Sequence, residues 1–355
     1  MSWVLTVIGF CALIVLHELG HFTAAKAVGM RVERFALFFP PLLFKVRRGE
    51  TEYGIGAIPL GGYVKITGMN PSEDLSDEVR TRAYYSQPVW KRVVVIAAGP
   101  AVNLIVAFVL LLGLFALQGN PVPVVGKQNL HQPAASVLRP GDRVLKIDGR
   151  GGSPATLSKR IRGHRCPQAL TAGCAAGRPA SLLVARKGRR LTLTVTPRYD
   201  PTTRSMRIGF SYDTGYEHAG PVRAVGLSAG AMWRVTTGTV SAFARLFEAE
   251  QRKQLSGVVG IGEVTHQAFS HDVTDALNLL ALISLSLALI NMFPFLPLDG
   301  GHIFWAVVEK VRGRPVPFSV MERAGVVGFA LVLMLFFIGL SNDIGRLQGE
   351  GFRPR

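Results

Sequence analysis

The chain has 355 residues, is 48% hydrophobic and carries a formal charge of +17. No nucleic-acid-binding motif or aromatic–basic interleaving accompanies that charge, so anionic lipid, not nucleic acid, is the partner it implies. Three cysteines with no CxxC pair exclude a cysteine-built metal site and a disulfide framework.

Residues 3–25 form the first apolar run, long enough to cross a bilayer, which takes about 20 residues. It reads as retained, since no basic segment precedes it and no small-residue cleavage site closes it. Its only Asp, Glu, Lys, Arg or His side chains are His17, Glu18 and His21. Ionisable groups at such depth are costly and read as functional. On a helix, positions i and i+4 share one face about 6 Å apart, so His17 and His21 can address one ion. Glu18 sits beside them as a general base for a metal-activated water. The H-E-x-x-H spacing is that of a zinc hydrolase.

Residues 26–92 are polar, with eleven Lys and Arg. Within them TEYGIGAIPLGGYVKITG breaks short apolar runs with glycine, the pattern of strands and tight turns. Residues 93–117 are the second uncharged run. Gly99 and Pro100 lie inside it with Asn103, which is equally a cross-helix packing group or a member of the site.

The largest polar block is 118–274. RPGDRVLKIDGR predicts a strand ending in a turn at Asp148-Gly149, and SLLVARKGRRLTLTVTPRY predicts a hairpin about Lys187-Gly188. Pro133 to Leu138 can start a short helix. Cys166 and Cys174 are either a disulfide or two unpaired thiols, depending on the compartment. Between 221 and 270, apolar positions at helical spacing, Leu246 and Phe247 among them, alternate with arginines. They suit a helix on the membrane surface or one packed on the preceding domain.

The third run is 276–298 and the fourth 324–342. Pro294 and Pro297 break the third before Asp299, and unwound backbone at membrane depth implies a lined cavity. The basic flanks place residues 26–92 on the cytoplasmic side and both termini outside. By parity His17, His21 and Asp299 then share one depth. Asp299 is the expected third ligand and His302 is left out of the set. A catalytic zinc takes three protein ligands and an open position. Asn291 can donate to the oxyanion.

HELGH, GPAVN and NMFPFLPLDG, in that order, with GGYVK, RPGDRVLKIDG and LSGVVGI between them, resemble the site-2 proteases. These are intramembrane zinc metalloproteases, and the likeness is to bacterial members with one extracytoplasmic PDZ domain. It implies a polytopic α-helical membrane protein with four transmembrane helices, an inserted PDZ-like α+β domain and a cytoplasmic membrane-associated β element. The expected segments are 1–117 with the first two helices and the 26–92 loop, 118–212 as the PDZ-like domain, 213–274 as the membrane-surface region, and 275–355 with the last two helices.

The resemblance also implies Zn2+ on His17, His21 and Asp299, and Glu18 with Asn291 as catalytic residues. Gly61, Gly62, Tyr63, Val64, Lys65, Asn103 and Pro294 would then line the substrate path. Such an edge can pair with an unwound substrate segment by strand addition. The implied substrates are single-span membrane proteins of the anti-sigma-factor kind and remnant signal peptides, cut in the bacterial inner membrane. Here Leu296 stands where some members have a second proline, and Val258 follows LSG where proline is common. The rival readings are a transporter or metal-handling protein and an inactive PDZ-bearing adaptor.

Overall fold

The computed structural model describes residues 2–70, 73–167, 170–245, 248 and 256–349. Leu246 and Phe247 lie outside them. Four helices among the described residues are long and apolar enough to cross a membrane, Ser2–Ala27 (α1), Val89–Leu117 (α3), Val273–Asn291 (α7) and Phe318–Gln348 (α9). The architecture is that of a polytopic helical membrane protein carrying an inserted β-rich region. Two compact units divide the chain. One is Phe115–Ala224, and the other joins Met1–Leu114 to Val225–Arg355.

In the larger unit, α1 leads through Gly29, at φ 85°, into strands Val32–Arg48 (β1) and Thr51–Ile66 (β2). Each long strand bends and is used twice. Arg34–Leu37 pairs on one side with Glu52–Ile55 and on the other with Gly62–Lys65, while Phe44–Arg48 closes onto Thr51–Ile55. The result is four antiparallel ladder segments in which Gly62–Lys65 is an outer one. A short helix, Asp77–Arg80 (α2), precedes α3. Met30, Val32, Ile66, Tyr84, Val95 and Ile96 pack into one buried cluster at the foot of the hairpin. Apolar burial of this kind is what ties the sheet to α1 and α3.

The smaller unit pairs strand Asn120–Val125 (β3) with Tyr212–Glu217 (β10). Beside them is an antiparallel sheet in the order β5-β4-β6-β7, made by Arg143–Ile147 (β4), Arg150–Gly151 (β5), Ala180–Arg186 (β6) and Arg189–Val195 (β7). Asp148 and Gly149, and again Lys187 and Gly188, take positive φ. These are the two turns expected from the sequence, and two-residue hairpins favour such conformations. Helix Pro154–Arg162 (α4) starts on the Ser153 cap and buries Leu157 and Ile161 against Ile147, Leu182 and Val184. The short helix expected after Pro133 is a single 3-10 turn, Ala134–Ser136. Arg198–Asp200 (β8) pairs with Ser205–Arg207 (β9). Cys166 and Cys174 are joined as a disulfide.

The region expected to lie on the membrane surface resolves into helices Pro221–Ala244 (α5) and Val258–His271 (α6). Trp3 of α1 stacks on His266 of α6, with ring centroids 4.2 Å apart. The third apolar run is helical only to Asn291. Residues 292–298 are a non-helical turn before helix Asp299–Arg312 (α8). Proline has no N–H for a helix ladder, and Pro294 and Pro297 account for the stop. Gly300 and Gly301 bring the backbone of α8 against Met292–Leu296, and Gly328 of α9 lies on the carbonyl of Leu296. A second lock on α9 is the fully buried Asp343. It accepts the N–H groups of Gly257, at 3.1 Å, and Gly260, at 2.8 Å, at the start of α6. A carboxylate there satisfies donors that have no partner within the helix.

Candidate metal centre

Two helices supply the cluster. α1 supplies His17 and His21 from one face, 8% and 7% exposed. α8 supplies Asp299 from its first turn, immediately after the non-helical turn. Asp299 Oδ2 lies 3.2 Å from His17 Nε2 and 3.3 Å from His21 Nε2. The two ring nitrogens are themselves 3.2 Å apart. Two imidazoles and one carboxylate within 4.8 Å of one another can hold a metal ion. The Asp299 oxygen is buried yet receives no properly angled hydrogen bond. Two ring nitrogens within hydrogen-bond reach of each other, and a buried carboxylate oxygen beside both with no hydrogen-bond partner, fit a shared divalent ion. Two histidines and a carboxylate are also a donor set of catalytic zinc sites.

α3 shapes the cluster from behind. Gly20 of α1 faces Ala98 and Gly99, where an added Cβ would lie 2.5 Å from the Ala98 carbonyl oxygen. A Cβ on Gly99 would overlap the His21 ring. These glycines are the close approach that small residues permit. His21 Nδ1 donates to the Val95 carbonyl oxygen at 2.9 Å. A carbonyl only accepts, so the His21 proton sits on Nδ1 and its Nε2 lone pair faces the cluster. Asn103 is fully buried, and its side-chain amide lies 3.1 Å from His17 Nδ1. Ser284 of α7 donates to the Asn103 backbone carbonyl at 2.9 Å.

Glu18 is half-buried and rests on Gly62, where a Cβ would lie 2.7 Å from Glu18 Cδ and Oε1. The outer ladder segment of the hairpin therefore runs beside the expected base. Gly61 takes φ 147°, a conformation open to glycine. Tyr63 packs on Phe39, with centroids 5.5 Å apart. Val64 joins the buried cluster below. The Lys65 ammonium turns to Glu33 Oε2, at 2.8 Å, and Glu73 Oε1, at 3.5 Å. The hydrogen bond to Glu33 holds its pKa above the usual lysine range.

The structure thus brings together His17, His21, Asp299, Asn103, Glu18 and Gly62. Asn291 is the last residue of α7, half-buried, and no hydrogen bond among the described residues joins its side chain to the cluster. Pro294 is exposed in the turn after it. His302 is outside the converging set. Three contributors were not singled out from sequence: the Val95 carbonyl, Ser284, and the ion pair of buried Arg92 with Glu309 of α8, at 2.9 and 2.6 Å. Arg92 stands beside Lys91 and Glu309 beside Lys310, so nothing in the sequence marked the two as partners.

A model of peptidase family M50 matches residues 5–335. A Rhizobium meliloti protein bearing the name "Putative zinc metalloprotease" is 33% identical, over 95% of this chain and 94% of its own length. A relative of the same name from Nostoc is 33% identical over 94% and 93%. Another from Campylobacter jejuni is 29% identical over 99% and 95%.

Proposed function

The chain belongs to peptidase family M50, and on that premise we propose that it cleaves single-span membrane proteins within the bilayer. It is a zinc metallopeptidase, and the reading adds where and on what it acts. One observation carries it. The metal-ligand cluster is built by an apolar helix long enough to span a membrane, with Glu18 beside it against an outer strand.

His17, His21 and Asp299 would hold the ion. When bound, zinc supplies a Lewis acid for the scissile carbonyl and lowers the pKa of water to roughly 7. Glu18 accepts the proton of the attacking water at its carboxylate and passes it to the departing amine. Asn291 donates to the oxyanion once substrate is seated. A transmembrane substrate is helical and offers no free backbone groups, so it must unwind before hydrolysis. The Gly61–Lys65 edge meets that need, because an extended segment can add to an outer strand by main-chain hydrogen bonds. Pro294 borders the same path. Anti-sigma-factor-like proteins and remnant signal peptides are the proposed substrates.

Residues 118–212, within the Phe115–Ala224 unit, are proposed to be a PDZ-like domain on the extracytoplasmic side of the bacterial inner membrane. Residues 26–92 would be cytoplasmic, following the basic flanks. Labelling of single cysteines from outside then reaches residues near 150 and spares those near 75. The reverse pattern removes the topology.

The deciding assay uses the purified full-length chain with a model single-span substrate in detergent. Cleavage that a chelator and Glu18→Gln each abolish supports the proposal. A chain that binds zinc and cleaves nothing returns the reading to a transporter or an adaptor.

A further inference from the structure

We propose that Asn103 is the positioning residue for His17, that it accepts the proton of His17 Nδ1 through its side-chain oxygen, and that Ser284 anchors it. The inference rests on the metal reading above and concerns how one ligand of that site is made ready. The two histidines differ in what lies behind them. His21 has a backbone carbonyl, which can only accept, so its tautomer is fixed without further help. His17 has a side-chain amide, which can donate from one end or accept at the other.

To bind a metal through Nε2, His17 keeps a lone pair there and carries its proton on Nδ1. That proton then faces Asn103, and only the amide oxygen can receive it. The amide has Nδ2 at 3.1 Å from His17 Nδ1, while Oδ1 is buried with no hydrogen-bond partner. A half-turn of the amide exchanges two ends of nearly equal shape. It gives the buried oxygen a donor and His17 the tautomer that ligation requires. Amide and histidine orientation are decided by such networks and not by shape. The exchange moves the unpartnered end from the oxygen to the amide nitrogen, so burial does not choose between the two arrangements, and the Nδ1–H tautomer that ligation through Nε2 requires does.

One further contact, together with burial, holds the amide in reach. The Asn103 backbone is bound by Ser284 of α7, so α1, α3 and α7 meet at this residue. It is fully buried, so no rotamer toward solvent competes.

The test measures zinc affinity of the full-length chain in detergent by competition with a chromophoric chelator, with thermal unfolding recorded in parallel. Asn103→Leu removes the acceptor and keeps the volume, and zinc binding is expected to weaken about 10- to 100-fold, the range for an orienting partner of a histidine ligand. Asn103→Asp retains an acceptor at the same place and is expected to bind zinc within a few-fold of the parent, even if its Tm falls. A purely structural Asn103 would make affinity track Tm in both variants.

Parental affinity in Asn103→Leu overturns the proposal. So does a folded Asn103→Asp that loses zinc as badly as a ligand variant, which keeps the test decisive should Asn103→Leu fail to fold. Failure of the parent itself to bind zinc would instead count against the metal reading.

Discussion

His21 Nδ1 and the Val95 carbonyl oxygen are 2.9 Å apart, so the second span holds the ring of a histidine that belongs to the first. Nothing between them has room to spare. Gly99, four residues on from Val95, lies directly against that ring. Gly99→Ala is therefore expected to displace the imidazole and lower zinc affinity about 10- to 100-fold. Gly113 is a control on the same helix, because a Cβ there meets nothing within 4 Å. Metal analysis of the two alanine variants checks the difference, and equal zinc content would refute the packing argument.

Gly62 tests the base independently of the metal. An alanine there overlaps Glu18, so Gly62→Ala should push the carboxylate out of line. Turnover is expected to fall about 10²- to 10⁴-fold, the contribution of a positioned general base. Zinc content should stay near one per chain, as it should in Glu18→Gln. Loss of metal in Gly62→Ala would mean that the strand supports the ligands and not the base.

Arg92 and Glu309 join the second span to the helix that carries Asp299. Breaking a buried pair costs about 3–5 kcal/mol, and the 25% exposure of the Glu309 side chain reduces that. Glu309→Gln is expected to cost about 2–3 kcal/mol and to lower Tm by several degrees. Arg92→Met with Glu309→Leu should recover part of the loss. A double variant no more stable than the single would remove the charge-burial explanation.

Glu50, at the hairpin turn, is paired with Arg82 and with Lys26 at the end of α1. The Arg82 hydrogen bonds, ahead of those from Lys26, pull its pKa from 4.5 to about 2. A carboxylate depressed in the folded state stabilises above its unfolded pKa and loses that contribution as pH falls through the folded value. The window is therefore pH 4.5 to about 2. Glu50→Gln should lower Tm at pH 7, and the gap to the parent should narrow as pH drops through that window. A gap that does not change between pH 7 and pH 2 would dissociate the effect from ionisation.

The convergence of His17, His21 and Asp299 was legible because spacing and depth act locally. His17 and His21 share a helical face by periodicity alone, and Asp299 stands out as a charge after a long apolar run. The hairpin turns were legible for the same reason, since Lys187-Gly188 and Asp148-Gly149 set their own dihedrals. What supports that cluster was not. A backbone carbonyl such as that of Val95 has no residue signature, and Ser284 is an unremarkable hydroxyl in an apolar run. The double use of β1 and β2 was hidden as well, because each long strand reads as one continuous extended stretch. The third span ended early because two prolines outweighed the apolar character that carries on to Leu298.

Gly328 and Asp343 lie on one helix, and each meets a different neighbour, the carbonyl of Leu296 and the start of α6. A helix advances about 100° per residue. Inserting or deleting a single residue between those two positions would swing one of them off its target while the other stayed seated. The last span thus has only one workable phase along its length, and changes in the number of residues there should be far less tolerated than changes in their identity.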